Sequence, residues 1–143
     1  MHFSRQLLGV VILSFLLGVS ATSRAMGLFD KKSELTEVEL TSAEMAQVEI
    51  MAGWAPGAEE NLIFSVKNKL SGPISCAGAT VHLKSGKTIN RGLMPKLYVG
   101  SNAAKLFTVG GVTKENLKDY SVACSCSKKP DLKACVNPLG DKK

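Results

Sequence analysis

An all-β chain, an antiparallel sandwich of about seven strands behind a cleaved N-terminal signal helix, is the fold class this sequence predicts. Three observations carry it. Short segments with alternating apolar and polar residues recur along the chain, each closed by a Gly, Pro, Asn or Ser cluster. Removing an apolar leader leaves about 118 residues, the size of one domain. Four cysteines lie in the exported part, two of them on one face of a single strand, where cross-links strengthen a small core.

The leader comes first. Met1 to Arg5 is short and basic, and Leu7 to Val19 is thirteen residues without charge. Val19-Ser20-Ala21 and Ser23-Arg24-Ala25 are small-residue exits. Basic, apolar and cleavage regions in that order define a secretory signal peptide, cut after Ala25 or Ala21. The apolar run is short for a membrane span, which needs roughly 20 residues, and the mature chain has no longer one. The expected location is periplasmic or secreted. The expected organisation is a signal peptide over 1–25, an acidic lead-in over 26–45, a β-sandwich domain over 46–127 and a basic, disulfide-tied tail over 128–143.

Charge is divided along the chain. Asp30 to Glu60 carries eight carboxylates against Lys31 and Lys32, whereas Asn61 onward holds thirteen lysines and Arg91 against four acids. A basic body suits an anionic surface. Nucleic acid is disfavoured as a partner, because the body has one arginine and no aromatic residues interleaved with the lysines.

Thr36 to Leu40 alternates as a strand does, yet Leu35, Val38, Met45, Val48 and Met51 also fit a helical stripe. Thr41-x-x-Glu44 has the form of a capping box, so a short helical turn is expected before a strand at Val48–Trp54. Ala55-Pro56-Gly57-Ala58 is a turn. Asn61–Lys67 alternates Leu62, Phe64 and Val66 with Ile63, Ser65 and Lys67. Strands follow at Ile74–Lys84, Thr88–Val99 and Lys105–Val109, with turns at Ser85-Gly86-Lys87, Gly100-Ser101-Asn102 and Gly110-Gly111. Thr113–Lys118 predicts a helical turn. The last strand, Asp119 to Cys126, puts Tyr120, Val122, Cys124 and Cys126 on one face and Ser121, Ala123 and Ser125 on the other.

Glu60 to Leu70, the hairpin Lys84-Ser85-Gly86-Lys87 and Tyr98-Val99-Gly100 before Leu106-Phe107 together resemble small bacterial exported immunoglobulin- or fibronectin-III-like modules, of which the FxLYD type is the nearest. The resemblance covers roughly residues 46–127 and lacks the Phe-x-Leu-Tyr-Asp signature itself. It implies a scaffolding or binding unit, with no active site and no cofactor.

The cysteines are the candidate site: Cys76, Cys124, Cys126 and Cys135. Cys124 and Cys126 share a strand face two residues apart, and a bond between them closes a small ring against extended geometry. Cys76 is therefore expected to bond Cys124, deeper in the strand, and Cys126 to bond Cys135 across a loop that turns at Pro130. Because the two strand cysteines share a face, exchanging their partners takes only a small slide. The alternative is a copper or zinc site on Cys124, Cys126 and Cys135, since thiolates suit those ions. Against it, the paired Cys-x-x-Cys spacing of structural zinc is missing. His82, the one histidine of the mature chain, has no sequence link to the sulfurs.

Catalytic signals are weak. Cys-x-Cys in a strand lacks the helix N-terminus that stabilises a redox thiolate. His82 has no Gly-x-Ser-x-Gly elbow, and Gly110-Gly111 no following Gly-Lys-Ser/Thr. Glu59-Glu60 is an adjacent pair, which an extended chain points apart. Trp54 reads as a core anchor rather than an exposed contact. The expectation is a non-enzymatic exported binding or structural module with a protein partner in the envelope or extracellular space. The alternatives are the metal-binding protein and an accessory subunit of a surface or secretion assembly, reached through a sandwich edge that accepts a strand.

Overall fold

The computed structural model describes residues 34–140; the expected signal peptide and its cleavage sites lie outside them. Seven antiparallel strands form two sheets. The four-stranded sheet has the order β1 (Thr36–Glu39), β7 (Leu117–Lys128), β4 (Ile74–Leu83), β5 (Thr88–Val99). The three-stranded sheet has the order β2 (Val48–Trp54), β3 (Asn61–Asn68), β6 (Ala104–Gly110). β2 and β3 form one hairpin and β4 and β5 another. Every other connection crosses between the sheets.

The alternation is what builds the core. Leu62, Phe64 and Val66 of β3, Ile74, Val81 and Leu83 of β4, and Val122, Cys124 and Cys126 of β7 turn inward and are buried. Phe64 and Phe107 are register partners whose rings stack at 5.0 Å, and Tyr120 meets Phe64 edge-on at 5.0 Å. Such aromatic contacts add to area burial. Trp54 is half-buried, and its Nε1–H donates to the carbonyl of Val112 at 2.8 Å.

The ambiguous region resolves into both elements. Thr36–Glu39 is a strand, and Ser42–Met45 is a single helical turn, α1, closed by a reciprocal capping box. Thr41 Oγ1 accepts from the Glu44 amide, and the Glu44 carboxylate accepts from the Thr41 amide at 2.8 Å. Part of the acidic segment set apart as a lead-in is thus in the sheet. Val38 lies opposite Cys126 and Glu39 opposite Ser125. Thr113–Lys118 holds a single turn, as expected: the Leu117 amide donates to the Thr113 carbonyl at 3.1 Å, Asn116 Oδ1 accepts from the Thr113 amide, and β7 begins at Leu117.

Three irregularities shape the four-stranded sheet, one of them a register shift between His82 and Leu83 that leaves Lys118 of β7 without a partner in β4. A bulge separates Cys76 from Gly78, whose φ of 152° is a conformation that side-chain-bearing residues avoid; a Cβ there would collide with the Arg91 carbonyl. Opposite it, residues 93–96 of β5 leave the ladder, with Pro95, which has no amide donor, among them. Beyond Ser125 the register with β4 ends, and the tail takes over that side: the Val136 amide donates to the Ser127 carbonyl at 2.9 Å.

Among the described residues one polar side chain is fully buried. Asn68, at the end of β3, has 0% exposure. Its Nδ2 lies 2.9 Å from the carbonyl of Gly72, 3.2 Å from that of Val99 and 3.2 Å from that of Gly100, and its Oδ1 accepts from the Leu70 amide at 2.9 Å. This amide ties the β3–β4 loop to the end of β5, with both of its polar atoms satisfied.

Candidate functional site: the cystines and the outer edge of β7

Both cystines hang on β7. Cys76 and Cys124 are direct register partners on neighbouring strands, and their sulfurs are bonded. Cys126, two residues on, is bonded to Cys135 of the tail. This is the pairing expected from the sequence. All four cysteines are buried. Gly72 lets the tail approach, since a Cβ on it would collide with the Cys135 carbonyl. The first bond ties the two central strands of the sheet, and the second ties the tail over their end.

The alternative metal set, Cys124, Cys126 and Cys135, is not assembled as ligands. Cys124 is bonded to Cys76, and no described cysteine is free, so none carries the thiolate that binds copper or zinc. The group that does stand beside Cys126 and Cys135 is the Glu44 carboxylate, within 4.8 Å of both sulfurs. It is occupied: Lys128 Nζ lies 2.6 Å from Glu44 Oε1, with both side chains only 15% exposed. Lys128, ahead of the Thr41 amide and hydroxyl, holds the Glu44 carboxyl below the usual carboxylate range.

A second ion pair crosses the outer face of the sheet. Glu37 on β1 accepts from Lys96 of β5 and from the Ser125 hydroxyl of β7. Those two hydrogen bonds, Lys96 first, lower its pKa as well. In sequence these partners are 59 and 88 residues apart, and only the strand order juxtaposes them. No short-range signal could have found them.

His82 lies on the outer face toward the opposite end of β4 from Cys76. Its Nδ1 is 3.0 Å from Thr88 Oγ1, and its Nε2 is 3.9 Å from Asp119 Oδ1. Asp119, His82 and Thr88 are successive partners across β7, β4 and β5. The imidazole and carboxylate side chains are 47% and 57% exposed, and the separation exceeds hydrogen-bond length, so water screens the pair.

The remaining feature is the edge of β7 on the β1 side. β1 covers only Ser125 to Lys128, and one further bond, Leu40 N–H to Cys124 C=O at 3.4 Å, marks where it leaves. A groove of about 500 Å³ opens at that point, floored by Val38, Leu40, Met45 and Val122 and rimmed by Glu37 and Glu39. Below it, residues 119–123 and Leu117 of β7 pair with β4, Lys118 standing out of the ladder at a register shift, and among the described residues none of them pairs with another strand. Comparison with protein-family models, curated proteins and solved structures finds no match. Among the described residues no helix is long and apolar enough to cross a membrane.

Proposed function

We propose that this chain is a non-enzymatic binding or structural module of the cell envelope or extracellular space, of the immunoglobulin-like kind. The observation that carries the reading is the convergence of both disulfides on one central strand beside an exposed strand edge. Disulfides of this kind suit an oxidising compartment and stabilise a domain with a small core. The strand order supports the immunoglobulin-like part. From β2 to β7 the chain makes a hairpin in one sheet, a hairpin in the other, then returns one strand to each, crossing between two antiparallel sheets as the Greek-key connections of that fold do.

The state of the carboxylates supports a non-catalytic role. Glu37, Glu44 and Glu49 are held ionised by lysine partners, the reverse of the raised pKa that a general acid needs. The test is a free-thiol count on protein from the native envelope together with chemical cross-linking in place. The expected result is no free thiol and a discrete cross-linked species. Three or four thiols with bound copper or zinc would replace this reading with the metal-binding one. Protein that stays monomeric under cross-linking would remove the partner.

A further inference from the structure

We propose that the outer edge of β7, from Leu117 to Ala123, is a strand-accepting site for an extended partner peptide that alternates apolar residues with basic ones. The inference rests on the module reading above and specifies its partner and its docking site.

The backbone defines the site. Cys76 and Cys124 face each other with their Cα atoms 4.0 Å apart, the close spacing of a pair that exchanges no backbone bonds between its own strands. The amide and carbonyl of Cys124 therefore turn away from β4, and Leu40 N–H accordingly reaches the Cys124 carbonyl. Alternation along β7 turns the amides and carbonyls of Val122 and Tyr120 to the same side, while those of Ser121 and Ala123 turn to β4. In an immunoglobulin-type sandwich the place beside this strand is filled by a full-length neighbour. Here β1 fills four residues of it. The open remainder runs over seven residues, regular from Asp119 to Ala123 and irregular at Lys118, roughly 23 Å of chain at most.

The side chains define the occupant. β1 already shows what this edge takes: in Thr36-Glu37-Val38-Glu39, Val38 is half-buried and Glu37 lies on the outer face. A peptide continuing its line places alternate residues toward Val122, Leu40, Met45 and the ring of Tyr120, which is 38% exposed although it packs on Phe64. Those residues must be apolar. The intervening residues face outward between Glu39 at the upper end and Asp119 at the lower end. Neither acid has a lysine or arginine partner among the described residues. Carboxylates at both ends of the edge select lysine or arginine at the outward positions. Main-chain bonds supply affinity, and the alternating pockets and charges supply specificity.

The probe is an acetylated, amidated heptapeptide, Val-Lys-Val-Lys-Val-Lys-Val, added to the mature protein, with the same peptide carrying Glu for Lys as control. Amide hydrogen exchange gives the first readout. The Val-Lys peptide is expected to slow exchange at Tyr120 and Val122 about tenfold or more. Protein variants give the second readout. Val122→Pro removes an amide that β4 does not use, as an edge position allows, and is expected to weaken the peptide roughly five- to tenfold. The double change Glu39→Lys with Asp119→Lys leaves the core untouched and is expected to reverse the preference between the two peptides.

No protection at roughly millimolar peptide overturns the proposal. So does protection confined to Met51 and Leu106 on the outer face of the three-stranded sheet. Tyr120 and Val122 protected without peptide, in a concentration-dependent dimer, would assign the edge to a second copy of this chain instead. Each of these outcomes leaves the thiol count and cross-linking test of the module reading intact.

Discussion

Replacing Asn68 with Asp changes one atom's chemistry at the centre of the buried amide network, and its effect can be worked out from the geometry. Asn68 Nδ2 donates toward three carbonyl oxygens between 2.9 and 3.2 Å away. In Asn68→Asp that donor becomes an oxygen facing three acceptors at zero solvent exposure. As a carboxylate it would be repelled and desolvated; as the neutral acid it can donate one of the bonds. The folded state therefore favours the proton, and the new group's pKa is raised in the folded protein over its unfolded value. The folded state then binds more protons than the unfolded state, so stability falls as pH rises. The loss begins near the unfolded aspartate value of about 4 and continues up to the folded value. Asn68→Ala supplies the neutral comparison. It strands the Leu70 amide and the Gly72 carbonyl, at roughly 1–3 kcal/mol for each buried group, so about 2–6 kcal/mol in all, without the pH slope. Urea unfolding at several pH values measures both. Equal stability of Asn68→Asp at pH 4 and pH 7, or a loss under about 1 kcal/mol for Asn68→Ala, would refute the assigned role.

The two cystines should differ in weight. With separations of 48 and 9 residues, chain entropy gives about 4 kcal/mol for Cys76–Cys124 and about 2.5 kcal/mol for Cys126–Cys135. The double Cys76→Ala, Cys124→Ala variant should therefore melt lower by calorimetry than Cys126→Ala, Cys135→Ala. Glu44→Gln should cost roughly 1–2 kcal/mol at pH 7, because it leaves a mostly buried Lys128 without its counter-charge. The Glu44 pKa is depressed, so its stabilisation is present above the unfolded value near 4.3 and is lost as pH falls through the folded value. The variant's acid-unfolding slope should accordingly be shallower than the parent's. Gly72→Ala should push the tail from its seat, at roughly 1–3 kcal/mol, and limited trypsin digestion should then cut faster at Lys133.

The strands were legible because each had to bury one face. Leu62, Phe64 and Val66 announce β3 from sequence alone, and the same alternation places Val122, Cys124 and Cys126 toward the core. The cystine pairing was legible for a related reason: the strand geometry disfavours a Cys124–Cys126 bond, which leaves few ways to pair. Residues 36–45 were harder. Val38 satisfies both a strand and a helix period, and what decides Thr36–Glu39 is an empty place beside β7, a fact of tertiary structure. Asn68 reads locally as the start of a loop, and its burial depends on Val99 and Gly100, 31 and 32 residues away. The ion pairs of Glu37 and Glu44, and the open edge itself, likewise arise from strand order rather than from any neighbouring residue.

The central claim is that β7 is the strand on which the module is built, tied to β4 by one bond and to the tail by the other. Peptide mapping of unreduced protein purified without reductant tests it most directly. The account predicts a Cys76–Cys124 linkage and a Cys126–Cys135 linkage with no free thiol. A Cys76–Cys135 or Cys76–Cys126 linkage would contradict it.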